Sequence, residues 1–158
     1  MQADIKEFFD SIRHDVIFDA LEKREVPEQL QAAYAKEYLG LLAQARIRDS
    51  ERTNKFDFAK GARTGGVEAP LLSSEVLEAE LGPLFVEWEQ SGIGFRLSNA
   101  GDEEVVTVSH ILWADNIYLF AADDKMADFM LRGVTRVLVD KLKLCWKTTI
   151  LEAMHGAH

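Results

Sequence analysis

Two carboxylates stand where apolar runs break, and that pairing of residue type with position points to chemistry. One is Asp115, in His110-Ile-Leu-Trp-Ala-Asp-Asn-Ile-Tyr-Leu-Phe120, where an acid and an amide separate two runs apolar enough to be strands. An Asp-Asn pair in that setting suits a hairpin tip, because both residues tolerate left-handed backbone. Asp115 can therefore be a turn residue, a metal ligand, or both. The other is Asp4, at a strand end in Asp4-Ile-Lys-Glu-Phe-Phe-Asp10. A third segment, Gly61-Ala-Arg-Thr-Gly-Gly-Val-Glu-Ala-Pro70, leads into a helix through several glycines, whose missing Cβ atoms let a backbone come close to a ligand. Clustered carboxylates are what hard divalent cations require.

The chain has 158 residues, 47% of them hydrophobic and 28% charged, which suits one domain able to bury about two-thirds of its unfolded surface. Its net charge of -9 argues against a sequence-independent grip on nucleic acid by this chain alone, since phosphate is bound mostly through Lys and Arg. It does not argue against a metal-centred site, whose ions offset part of that charge. No apolar run approaches the roughly 18 residues of a membrane span, and the start MQADIKEFFD is too acidic for a signal or transit peptide. The expectation is an intracellular protein, nuclear or cytoplasmic, with no membrane anchor. Cys145 is the only cysteine, so no internal disulfide forms, and no Cys/His cluster has zinc spacing.

Stepping along the chain, residues 1 to 9 read as a short strand entering a turn. A helical pattern follows Ser11 with Val16, Ile17, Ala20 and Leu21 on one face and is broken at Glu25 to Pro27. Pro27 starts a second helix running to about Ala45, with Leu30, Ala33, Tyr34, Leu41 and Leu42 as its inner stripe. Ala45 to Arg48 is a brief strand, Arg48 to Lys55 a polar loop, and Phe56-Asp-Phe58 alternates like a strand. A long helix spans about Glu68 to Glu89 with Leu72, Val76, Ala79 and Trp88 inward. Residues 93–98 and 105–113 form a hairpin around Asn99-Ala-Gly-Asp102, and Ile117 to Ala121 returns after the Ala-Asp-Asn turn. A helix from about Lys125 to Asp140 and a last strand, Leu142 to Trp146, complete residues 1–152 as one domain, with 153–158 a disordered tail. The order strand, helices, strands, helix, strand implies an α+β fold with helices packed on one face of a mostly antiparallel sheet.

Taken in order, the three segments resemble the palm domain of reverse transcriptases, particularly those of non-long-terminal-repeat retrotransposons and group II introns. The resemblance covers nearly the whole chain, and Leu142-Lys-Leu-Cys-Trp-Lys-Thr-Thr-Ile-Leu151 is similar to that family's closing palm segment. It implies an RNA-directed DNA polymerase acting on an RNA template, a DNA primer and dNTP, with Mg²⁺ (or Mn²⁺) as cofactor. Nucleotidyl transfer needs positive charge near both the attacking and the leaving oxygen, which two ions about 3.5–4 Å apart supply. By the resemblance, the ligands are the first acid of the strand-end motif, Asp4, and of the hairpin, Asp115, with Asn116 completing the catalytic group. Phe9 falls where the family's bulky side chain excludes a ribose 2′-hydroxyl, which implies a preference for deoxynucleotides. Phe8 reads as a core residue and Asp10 as a cap on the following helix. Gly61, Arg63, Gly65 and Pro70 match the family's template- and nucleotide-binding turn, so Arg63 and Gly65 are expected to face substrate.

The chain departs from the family pattern at several positions. Asn116 replaces the second acid of the hairpin, removing a charge but keeping an oxygen. Thr64 stands where the family has Gln, Ala69 where Ser commonly precedes Pro70, and Thr148 where Lys usually precedes Thr149. Lys147 is placed to reach the substrate instead. The resemblance also implies a fingers region before Asp4 and a thumb after residue 158, and a chain lacking both would hold ions without gripping primer and template. The alternative expectation is therefore a catalytically inactive relic or interaction domain with the same fold. Other groups read as structural: His110 on a sheet face, Asp123-Asp124 at a helix start, Glu75, Glu78 and Glu80 on a solvated helix face, and His155 and His158 in the tail.

Overall fold

Alternation along Gln2–Ile5 (β1) divides its side chains between two environments. Ala3 and Ile5 are buried in the apolar interior, while Asp4 and Gln2 occupy the alternate positions that face the other way. The computed structural model describes residues 1–40, 42–44, 46, 52–57, 60–62, 66, 68–97 and 105–152, with backbone only at 43, 56 and 148–152. After β1 come a single helical turn, Phe8–Ser11 (α1), then His14–Lys23 (α2) and Glu28–Tyr38 (α3). Two short strands, Leu42–Ala43 (β2) and Phe56–Asp57 (β3), pair with each other. The 22-residue helix Ala69–Gln90 (α4) precedes the hairpin Phe95–Leu97 (β4) and Val106–Val108 (β5). His110–Trp113 (β6), Asn116–Leu119 (β7), Asp124–Arg136 (α5), a π-helical continuation Val137–Leu142, and Trp146–Glu152 (β8) follow.

The main sheet is antiparallel in the order β6-β7-β1-β8. Ile5, Ile117 and Leu119 join one core with Leu72, Val76, Leu77, Leu81, Phe85 and Trp88 of α4. Burial of each such side chain contributes roughly 1.5–3 kcal/mol. Helices cover that face, and α2 also packs on α4, so the architecture is α+β with an antiparallel sheet, as expected. Among the described residues no helix is long and apolar enough to cross a membrane.

Several local expectations are corrected. The second helix ends at Tyr38, not Ala45, because Leu39 turns extended and Gly40 adopts φ 75. Of its expected stripe Tyr34 packs against the core, but Leu30 is 47% exposed and Ala33 is also exposed, and the buried residue is Tyr38, against the ring of His14 at 5.4 Å. Glu80 is buried, not solvated. It accepts Lys23 Nζ at 2.5 Å and faces Lys141 Nζ at 3.4 Å, so it ties α4 to α2 and to the π-helical segment. Glu75 likewise pairs with Arg24 at 2.9 Å. The last strand starts at Trp146, because Leu142 and Leu144 are drawn into the core and left-handed Lys143 closes the preceding helix. Asp10 lies within α1 and is not the N-cap of α2, a position that Arg13 takes without a side-chain bond. Asp123 does cap α5, its Oδ1 accepting from Met126 N at 2.8 Å. His110 lies on a sheet face, stacked on Phe85 at 3.5 Å. Leu41, most of Ala45–Arg48, the Asn99–Asp102 turn and the tail 153–158 lie outside the described residues.

Candidate active site

The hairpin that carries Asp115 is closed by Ala114 and Asp115, since Trp113 and Asn116 face each other across it. The left-handed residue is Ala114, φ 54, and neither Asp115 nor Asn116 has a positive φ. A Cβ-bearing residue in that region costs roughly 1–2 kcal/mol. Glu7 (φ 46) and Lys143 (φ 56) share the strain, and all three lie at or within two residues of one cavity. That cavity, about 580 Å³, is lined by Asp4 through Asp10, Asp115 and Cys145 through Lys147. Backbone strain retained in a folded chain concentrates where positioning matters.

Asp4 and Asp115 meet there because of strand register. Asp4 pairs with Asn116, and Ile5 N donates to the carbonyl of Asp115 at 3.0 Å, fixing the hairpin tip beside the end of β1. Asp4 is only 7% exposed. Its Oδ2 accepts from Lys147 Nζ at 3.1 Å, while its Oδ1 is buried with no hydrogen-bond donor among the described residues. Two ionised carboxylates cannot donate to each other. Burial, joined by the neighbouring Asp4 charge, accordingly holds the Asp115 carboxyl above its ordinary value of 3.8, with Lys147 opposing.

Lys147 reaches Asp4 through an irregularity in the sheet. Ile5 faces Trp146 and Ala3 faces Leu151, so two steps along β1 match five along β8. The bulged strand leaves Lys147 beside Asp4 and re-aims its side chain, the usual effect of such an insertion.

Asn116 is not free to swing. Gln2 Nε2 donates to its Oδ1 at 3.1 Å, which orients the amide so that Nδ2 points at Asp115 Oδ1, 3.5 Å away. Gln2 was not expected at the site. Its only signal is its spacing of two from Asp4, which puts both on one strand face. Phe9 is half-buried, lines the cavity, and rests against the fully buried Phe8 with ring centroids 5.6 Å apart. Arg63 and Gly65 lie outside the described residues. The root of their loop is anchored beside Phe9: Gly61 N donates to Ile12 O and Ala62 N to Phe9 O, both at 2.6 Å. His14 Nε2 is 3.0 Å from the Gly61 carbonyl. Gly61 has φ 94, and an added Cβ would meet the Asp10 carbonyl at 3.1 Å, so the close approach requires glycine.

Among the described residues no group of three or more His, Cys, Asp or Glu could hold a metal ion. The donor set is instead a carboxylate pair with one buried, unpartnered oxygen. Such a pair fits Mg²⁺, which keeps several waters and takes one or two carboxylates plus substrate phosphates. Of the residues expected at the site, Asp4, Phe9, Asp115 and Lys147 line one cavity and Asn116 adjoins it. A comparison with curated proteins yields no match. The family model described as reverse transcriptase (RNA-dependent DNA polymerase) matches residues 1–150, a span that contains every one of these side chains, and the chain belongs to that family.

Proposed function

We propose that this chain is the palm of a retroelement reverse transcriptase, of the non-long-terminal-repeat or group II intron type, that extends a DNA primer on an RNA template. Asp4 and Asp115 are the ligands for Mg²⁺ or Mn²⁺. The observation that carries the reading is that Asp4, whose buried Oδ1 has no donor among the described residues, lines one cavity with a second carboxyl raised by burial and by Asp4. A partly buried carboxylate pair that shares one half-exposed lysine is a poor way to stabilise a fold and a good way to receive a divalent cation. The bound ions would stabilise charge on the attacking and leaving oxygens of the phosphoryl group.

The chain's own residues do the rest. Asn116, oriented by Gln2, supplies an N–H toward Asp115 where a third carboxylate would add repulsion. Phe9, braced by Phe8, forms the wall on which a sugar would rest and selects deoxynucleotides by bulk. Lys147 supplies positive charge at the same cavity.

Mn²⁺ titration followed by electron paramagnetic resonance, with primer extension on RNA in parallel, tests this. Asp4→Ala and Asp115→Ala should each lose ion binding and any DNA synthesis. Ion binding that persists in both variants, or synthesis that survives Asp115→Ala, overturns the assignment.

A further inference from the structure

Asp4 already has a cation. The Lys147 ammonium lies 3.1 Å from Oδ2 of a carboxylate that is otherwise nearly enclosed, its own side chain being 51% exposed against 10% for Asp4. A surface lysine has no need of so specific a partner, and an irregular strand is required to deliver it: β8 bulges opposite Asp4. We propose that Lys147 is a built-in counter-ion that occupies Asp4 until a divalent cation displaces it, so that ion loading and release of Lys147 into the cavity are one event. The inference rests on Asp4 and Asp115 being the ion ligands.

Three features carry the argument. Oδ1 is buried and has no partner among the described residues, so an ion that binds Asp4 displaces no donor from it. An ion seated there would share one carboxylate with the ammonium. The repulsion between a divalent cation and an ammonium at that separation exceeds what a half-exposed ion pair returns. Lys147 can yield because half of its side chain is already in solvent, whereas Asp4, set in β1 between β7 and β8, cannot turn away. Among the described residues Asp4 is thus charge-paired by Lys147 alone.

Two measurements test this on the full chain. In the first, Mn²⁺ affinity is compared for wild type, Lys147→Met, Lys147→Arg and Lys6→Met. Lys6 lines the same cavity, so its variant reports a general loss of positive charge. Displacement predicts that Lys147→Met binds Mn²⁺ about fivefold or more tightly than wild type, that Lys147→Arg stays close to wild type, and that Lys6→Met gains much less. In the second, acetic anhydride labelling of Lys147 is read by mass spectrometry relative to Lys6, with and without Mg²⁺. The ratio should rise about fivefold with Mg²⁺ in wild type and stay unchanged in Asp115→Ala, which keeps the Asp4 partner but loses the ion. Equal gains for Lys147→Met and Lys6→Met, or a flat labelling ratio in wild type that binds Mn²⁺, overturn the displacement and leave the ion site standing. Failure of wild type to bind Mn²⁺ overturns both.

Discussion

Asp4→Asn should stabilise the ion-free protein while destroying its site. The side chain keeps its size, so no cavity opens. What changes is the buried Oδ1, an acceptor without a donor, whose desolvation costs about 1–3 kcal/mol. Asparagine replaces the charge with an amide whose N–H can point at Asp115 and relieves the like-charge contact that raises that carboxyl. Against this stands the ion pair with half-exposed Lys147, worth at most about 1 kcal/mol. The net gain is on the order of 1 kcal/mol, or roughly 2–4 °C in Tm for a chain of this size. Urea unfolding in EDTA reads it as a higher midpoint at unchanged slope. With Mn²⁺ at about a hundred times its Kd the order inverts, since only wild type gains the roughly 2.7 kcal/mol of linkage. A variant less stable than wild type in EDTA, with no inversion in Mn²⁺, would refute the claim that Asp4 is held in an unfavourable state for the sake of an ion.

Asp115→Asn should also stabilise at neutral pH, by about 0.5 kcal/mol after solvent screening. The folded carboxyl is raised, so its contribution to stability is complete below its ordinary value of 3.8 and is lost as pH rises through the raised value; the variant's advantage should vanish in acid, as urea midpoints across pH would record. His110 has the opposite sign. Burial lowers it below its ordinary value of 6.5, so its contribution is present above that value and lost as pH falls through the lowered one; His110→Phe should flatten that acid limb of the stability profile. Gly133→Ala should cost about 1 kcal/mol despite alanine's better helix propensity, because the new Cβ would stand 3.0 Å from Cζ2 of the buried Trp88; thermal melting checks it. Phe9→Val should raise ribonucleotide use relative to deoxynucleotides by roughly tenfold in primer extension, with no change expected in Mn²⁺ affinity.

Periodic signals were legible and long-range ones were not. The α4 helix stands where local spacing puts it, and the 93–98 segment does pair as a hairpin, but the expected strand 105–113 breaks at Ser109, β5 pairing with β4 and β6 with β7 in the main sheet. Glu80 misled because its burial is decided by Lys23 and Lys141, neither of which is near it in the chain. Spacing alone makes a Glu among other Glu residues look solvated. The start of β8 misled because Leu142-Lys-Leu alternates as a strand does, yet both leucines enter the core at the close of a π-helical turn. Asp-Asn invited a left-handed assignment that Ala114 takes instead. At the cavity, the acids were visible as breaks in apolar runs. The bulge that brings Lys147 to Asp4 and the Gln2 clamp on Asn116 are matters of register, which residue types at fixed spacing do not encode.

Register also explains why the cavity can hold its strained and uncompensated groups. Ala3 faces Ile117 and Asp4 faces Asn116, so the same alternation that buries Ala3, Ile5, Ile117 and Leu119 turns Asp4 toward the cavity. A slip of one residue between β1 and β7 would drive Asp4 into the apolar interior and strip the core of Ile5 at once. The apolar face therefore enforces the position of the acid more strongly than any bond the acid makes. Each left-handed residue and the orphaned oxygen cost on the order of 1–3 kcal/mol, and one sheet face packed on α4 is enough to offset them. Substitutions on the two faces should accordingly carry opposite signs: removing a carboxylate charge from the cavity stabilises the ion-free chain, whereas shortening Ile5 or Ile117, fully enclosed on the other side, destabilises it and loosens the acids together.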